Sequence, residues 1–479
     1  MKRTPLSLIA HWAGGQIHGD DVAIDAIGND TRTLVPGSLY VALRGERFDG
    51  HDFAANALEQ GASALLVDRL LPLDVPQVVV ADTEQALARI ATAVQRDRAT
   101  RVFAITGSNG KTSVKTLLLA ILEHVAAVEG RRVYATPGNR NNEIGMPLAV
   151  IDAPEDADFA IYEMGTGKPG DIAYLTAIAA PDVAIVNNVA PAHLERMGSL
   201  LEIANTKAAV YDDLRDGGVA VVNADDAFAP YFAGRAGTHR VIRFGLEASA
   251  DVTAGGIVLA EAGSRFRLRT PQGEADVALQ LPGRHNVLNA LAAASLALAA
   301  GIALPRVAEG LAQARPVAGR QVAYVLPSGA VLVDDSYNAN PGSLAAAIAA
   351  LAAGKEEGWL VLGDMRELGP DAQALHAQAG MRAREAGLKR LYTLGPLSEA
   401  AAQAFGEGAR HFESHAALAA ALIADLSATG AVPPSPENGH SPFPVPRSPR
   451  VLVKGSRGSA MDKIVTALLK RGEDTPHVA

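Results

Sequence analysis

The sequence predicts an α/β protein of three domains. The central domain is a doubly wound, mostly parallel sheet with a phosphate-binding P-loop and a small antiparallel addition; a Rossmann-like α/β domain follows it and a smaller α/β domain precedes it. Three observations carry this expectation. Short β-branched apolar runs alternate with helical stretches, which implies parallel strands covered on both faces. The alternation restarts twice, near Arg101 and near Gln321. A chain of 479 residues, 48% hydrophobic and 20% charged, is too long for one core and too apolar to be disordered.

In the first block, residues 1–99, Ser38 to Leu43 and Ala64 to Asp68 read as strands, and Phe53 to Gly61 as a helix closed by a glycine. In the second, 100–315, apolar runs at 102–106, 158–164, 182–189 and 218–223 are separated by helical stretches. Between about 240 and 282 strands follow one another, with 266–269 and 277–281 the clearest, before the alanine-rich helix from Val287 to Ala300. The third block, 316–479, has strands at 331–334, 359–362, 391–394 and 451–453. A Pro- and Ser-rich stretch at about 432–449 reads as a surface insertion without an assigned role, and the tail after Arg471 as frayed.

A formal charge of −9 without a Lys/Arg cluster argues against a nucleic-acid binder, though an acidic protein can still hold a local cationic pocket. Cysteine is absent, so disulfides, thiol nucleophiles and thiolate metal sites are excluded. The first residues lack the apolar core of a signal peptide, and the longest apolar stretches are too short to span a bilayer. The expectation is a cytoplasmic protein that is not membrane-integral.

The most telling segment is Val102 to Thr116. A β-branched run stops at Gly107-Ser108-Asn109-Gly110-Lys111-Thr112 and opens into a helix. In that order, turn and helix N–H groups face phosphates, Lys111 reaches the outer ones and the Thr112 hydroxyl holds Mg²⁺. The usual spacing wants a glycine where Ile105 stands, so the loop is a shorter variant. Polar residues at other strand ends are open to two readings. Glu163 is a solvated acid or a Mg²⁺ ligand, and His193 a surface histidine or a ligand. Ser199 and Glu202 form a capping box, which puts Lys207 two turns into a helix, where a lysine is ordinarily solvated. The loop carrying Asn139, Asn141 and Asn142 either binds a polar ligand or satisfies its own backbone, and Asn286 and Asn289 share one side of a helix start.

These motifs, with Glu163-Met164-Gly165, Gly283 to Asn289 and Gly319-Arg320, stand in the order of the Mur ligases, and the resemblance spans all but the Pro-rich stretch and the tail. Mur ligases are ATP-dependent amide-forming enzymes of peptidoglycan precursor assembly. Asp334 to Pro341, Gly363 to Gly369 and Lys454 to Arg457 resemble the member that adds D-alanyl-D-alanine to UDP-N-acetylmuramoyl-tripeptide. The Tyr-Ala-His run and Asp-Asn-Pro-Arg motif of the sibling that adds the third residue are missing. That sibling, the folylpolyglutamate synthetases and a non-catalytic nucleotide-regulated protein are the alternatives.

The resemblance implies an acyl-phosphate mechanism with ATP and two Mg²⁺. Thr106, Gly107, Ser108, Asn109, Gly110, Lys111, Thr112 and Ser113 would wrap the phosphates. Thr112 and Glu163 would bind the first Mg²⁺, with His193 and a carbamylated Lys207 at the second. Asn286 and Asn289 would lie near adenine, Asp335 at the ribose and Arg320 at the γ-phosphate. Thr31, Arg32, Gly45, Asp49, Gly50 and His51 would serve the UDP-substrate domain, and Asn139, Asn141, Asn142, Asn338 and Asn340 the peptide substrates. The expected assembly is a monomer whose partners are these small molecules, with no nucleic acid.

Overall fold

The computed structural model describes residues 1–45, 48–191, 194–260, 263–354, 356–429 and 448–473. His193 and all but the last two residues of the Pro-rich stretch lie outside them. The chain forms two compact units, Met1–Val189 with Leu201–Ala314, and Ala190–Leu200 with Arg315–Ala479.

Among the described residues, the first unit is built on a six-stranded sheet in the order Arg240–Phe244, Val219–Asn223, Val183–Val186, Arg101–Thr106, Phe159–Glu163 and Val133–Ala135. Every neighbouring pair is parallel. The central strands are short, mostly apolar runs buried on both faces, as a helix-covered parallel sheet requires. The strand order reverses around Arg101–Thr106, where open α/β sheets bind ligands at the carboxyl ends. The helix that leaves this point, Lys111–Glu129, is closed by Gly130 in the left-handed conformation.

The same unit carries a five-stranded sheet formed by residues 16–79 and the antiparallel ribbon Thr253–Ala260, Gly263–Thr270 and Gly273–Leu279. Thr83–Arg96 joins the two larger sheets. It is capped by Asp82, which accepts from the N–H groups of Glu84 and Gln85. Its Ile90 and Val94 share one core with Met146 and Val150. Arg98, buried just beyond it, donates to the carbonyls of Val150 and Ala153, both at 2.6 Å.

Among the described residues, the second unit holds another six-stranded sheet in the order Val322–Val325, Val331–Asp335, Arg450–Lys454, Gly358–Gly363, Arg390–Leu394 and Ala409–Phe412. Only the first of these strands runs antiparallel. Separate apolar clusters fill its two faces, one around Trp359 and Leu422 and one around Leu360 and Ile348. Within this unit the short helix Leu194–Met197 lies against the turn Gly369–Asp371.

Candidate active site

The glycine loop leaves the central strand between the ends of its two neighbours, which supply Glu163 on one side and Asn187 on the other. Asn187 pins the loop, its amide donating to the Asn109 carbonyl at 3.0 Å and to Asn289 Oδ1 at 3.2 Å. Asn188 Oδ1 accepts from the Asn109 N–H at 2.8 Å. Gly110 enters the helix at φ +78, and a Cβ there would lie 2.6 Å from both the Asn187 and Asn289 amides, so only glycine fits. Lys111 Nζ folds back to donate to the Gly107 carbonyl at 2.7 Å. An ammonium above a helix N-terminus makes this loop a place for a polyphosphate.

Glu163 is 3% exposed, which removes the solvated-acid reading. Its Oε2 accepts from the Thr112 hydroxyl at 3.0 Å and its Oε1 from the Asn141 amide at 2.9 Å. Its backbone N–H donates to the Thr136 hydroxyl at 3.1 Å. Burial opposes its ionisation, but the charges of Lys115 and Lys111 and the two side-chain donors outweigh that and hold the carboxyl below its ordinary value. A hydroxyl beside an ionised carboxylate is a hard-oxygen pair suited to Mg²⁺, which keeps waters and phosphate oxygens for the rest of its shell.

Lys115 was missed by sequence reading, although it sits one turn after Lys111 on the same helix face. It is buried, 3.2 Å from Glu163 Oε2, and donates to the carbonyls of Thr136 at 3.0 Å and Gly138 at 3.1 Å. One ammonium thus ties the carboxylate to the asparagine loop. In that loop Asn142 Oδ1 accepts from the Gly145 N–H at 2.9 Å, and the Asn139 carbonyl from the Asn141 N–H at 2.7 Å.

Lys207 is 2% exposed, so a solvated face is not what the helix Leu200–Ala208 offers it. Among the described residues its amine has no hydrogen-bond or ion-pair partner. Burial, reinforced by the charge of Lys111, lowers its pKa well below the ordinary lysine value, which favours the neutral, nucleophilic amine. Asn286 donates to the Pro282 carbonyl at 2.8 Å, and Asn289 completes the contact with Asn187.

Nearer the start of the chain, His51 is buried. Its Nε2 accepts from the Asp68 N–H at 3.1 Å, so the proton belongs on Nδ1, which donates to Asp49 at 2.5 Å. Arg44 and Arg69 pair with Asp49 and Asp68 around it. Gly50 approaches the Leu43 backbone too closely for a Cβ, and the Gly45 N–H donates to the Phe48 carbonyl. Arg32, beside Thr31, makes a two-pronged contact with Asp30, which lowers the Asp30 pKa to about 2.

In the second unit Asp335 is buried against Lys454 Nζ at 2.6 Å, and Arg320 lies 4.2 Å over the Tyr337 ring. Asn340 caps the helix Pro341–Ala352 in a box with Ser343, while Asn338 Oδ1 accepts from the Ala339 N–H.

Three family descriptions match the chain: "Mur ligase family, catalytic domain" at residues 23–95, "Mur ligase middle domain" at 105–297 and "Mur ligase, glutamate ligase domain" at 321–432. The Escherichia coli (strain K12) protein named UDP-N-acetylmuramoyl-tripeptide--D-alanyl-D-alanine ligase is 41% identical over 468 residues, 98% of each chain. A crystal structure of MurF from Acinetobacter baumannii superposes with a TM-score of 0.89 at 30% identity, covering 98% of this chain and 100% of that one. MurF from Thermotoga maritima, solved in complex with ADP, gives 0.79 at 26% identity, covering 94% and 98%.

Proposed function

The chain belongs to the Mur ligase family, and from that premise we propose that it joins D-alanyl-D-alanine to UDP-N-acetylmuramoyl-tripeptide with ATP, giving ADP and phosphate. The observation that carries this reading is the identity along nearly the whole chain to ligases of that name. The loop, Thr112 and Glu163 supply its chemistry.

A carboxylate near neutral pH does not acylate an amine. The terminal carboxylate oxygen of the tripeptide attacks the γ-phosphorus of ATP, the bond to the β-bridging oxygen breaks, and ADP leaves. The dipeptide amine then attacks the acyl phosphate, and the tetrahedral intermediate expels phosphate as the amine loses its proton. Such phosphoryl transfer rests on positioning and charge stabilisation. Lys111 grips the outer phosphates from its place over Gly107, and residues 106–113 wrap the remainder. Thr112 and Glu163, already hydrogen-bonded to each other, would hold the first Mg²⁺, whose chemistry when bound is to neutralise phosphate charge. Asn286 and Asn289 serve adenine, Asp335 the ribose and Arg320 the γ-phosphate. Residues 1–99 take the UDP part, with Thr31, Arg32, Gly45, Asp49, Gly50 and His51, while 100–315 and 316–479 form the ATP-binding and C-terminal domains.

Lys207 carries a carbamate: its neutral amine adds to the carbon of CO₂, loses a proton and gains a carboxylate, which would serve a second Mg²⁺ for which His193 is the other expected ligand. Its burial, its depressed basicity and the lack of a partner among the described residues support this. The enzyme works as a monomer in the cytoplasm, where ATP and UDP-linked precursors are available. No helix among the described residues is long and apolar enough to cross a membrane.

Phosphate release decides the reading. With ATP, Mg²⁺ and UDP-N-acetylmuramoyl-tripeptide, D-Ala-D-Ala should trigger release and single amino acids should not. The reverse pattern assigns the sibling reaction, and no release with any acceptor assigns a binding protein. In the same assay Lys207→Ala should be nearly inactive; full activity, with unmodified Lys207 in the wild type, removes the carbamate.

A further inference from the structure

The carboxyl ends of three adjacent strands in the second unit, Val331–Asp335, Arg450–Lys454 and Gly358–Gly363, share one edge. The activation chemistry uses neither of the loops that follow the last two. Side chains stitch all three loops together. Lys454 Nζ donates to Asp335 Oδ2 at 2.6 Å and to the Asn338 carbonyl at 3.0 Å. Ser456 donates its hydroxyl to the Ala339 carbonyl at 3.2 Å and accepts from the Arg366 N–H at 2.9 Å, while its own N–H donates to the Asp364 carbonyl at 3.0 Å. Asp335, Asp364, Lys454 and Ser456 are all buried, so the frame is held from within.

What this frame presents outward is positive. The Arg457 guanidinium lies 5.4 Å over the same Tyr337 ring that carries Arg320. The Arg366 guanidinium packs where Gly458 has no side chain, 2.9 Å from the position of a Cβ. Both arginines are exposed, and among the described residues neither guanidinium makes an ion pair. An aromatic face steadies a guanidinium and leaves its in-plane donors available, and that fork matches a carboxylate in two bonds.

The incoming dipeptide has one anionic group, its C-terminal carboxylate, and its amine must stay free to attack. We infer that Arg457, steadied by Tyr337 with Arg366 alongside, receives that carboxylate and so selects the acceptor. This rests on the D-alanyl-D-alanine reading above.

The test compares D-Ala-D-Ala with its C-terminal amide on the full chain, following phosphate. In the wild type the amide should raise KM roughly ten- to a hundredfold, the loss of a charge-assisted bond. Arg457→Met should raise KM for the acid by a similar factor and abolish the acid-to-amide difference. KM for ATP and tripeptide should not move, and Arg457→Lys should recover part of the acid preference. An acid-to-amide ratio that Arg457→Met leaves at the wild-type value overturns the assignment while the substrate reading stands. A KM rise confined to ATP or tripeptide overturns it too, giving the guanidinium to another anion. A wild type that releases no phosphate with D-Ala-D-Ala removes the underlying reading itself.

Discussion

Glu163 and Lys115 form a buried pair whose partners are unequal. Lys115 has two carbonyls besides the carboxylate, whereas Glu163 relies on the ammonium as the largest of the groups, with Lys111, Asn141 and Thr112, that offset the desolvation of its charge. Lys115→Met leaves that charge poorly compensated and should cost about 3 kcal/mol in urea unfolding. Glu163→Gln in the same chain removes the orphaned charge, so the double variant should recover at least ~1 kcal/mol against additivity. Single costs that add within about 0.5 kcal/mol would show the pair to be uncoupled. The pH dependence has a definite sign. The folded Glu163 pKa is lowered, so its contribution is complete above the unfolded value, about 4.3, and is lost as pH falls through the folded one. Without Lys115 that lowering is weakened, because burial is then opposed only by Lys111, Asn141 and Thr112. The deficit of Lys115→Met should therefore shrink on acidification.

At the scale of the element, the loop between Arg101–Thr106 and Lys111–Glu129 is held in shape before any ligand arrives, because Asn187 and Asn188 grip it and Asn289, from a third element, holds Asn187 in place. Gly110→Ala must strain a left-handed residue by about 1–2 kcal/mol and displace two mutually bonded amides. Titration calorimetry should find ADP affinity reduced about tenfold or more, the equivalent of that strain; unchanged affinity would mean the loop adapts freely. The strand, turn and helix were legible because β-branched runs, glycines and a lysine at the helix start are local signals. The asparagine grip was not, since Asn187 and Asn289 meet across 102 residues and no local pattern marks the pairing. Lys207 misleads for the same reason: a lysine among alanines reads as solvated until distant elements cover it. Ser456 was visible only as part of a family motif, and its three bonds to two other loops depend on strand order. The grouping of Ala190–Leu200 with the second unit is likewise a tertiary fact, with no composition shift to announce it.

For the whole molecule, the two units have separate apolar cores, and each contains one of the chain's two tryptophans. Trp12 packs on the first unit's apolar cluster around Ile9, Ile90 and Val150, and Trp359 is buried in a core of the second unit. Chains of this length often unfold in more than one step, so each tryptophan can report on its own unit. Trp359→Phe leaves Trp12 as the reporter, and Trp12→Phe leaves Trp359. A ligand that binds only folded protein stabilises the part that holds it, by about 2.7 kcal/mol at a concentration one hundred times its dissociation constant. The phosphate loop, Glu163 and Lys207 all belong to the first unit. ADP with Mg²⁺ should therefore raise the urea midpoint reported by Trp12 more than that reported by Trp359, and Lys111→Met should erase most of the difference. Coincident midpoints that move equally would instead make the chain one cooperative body, in which nucleotide binding in one unit stabilises the other to the same extent.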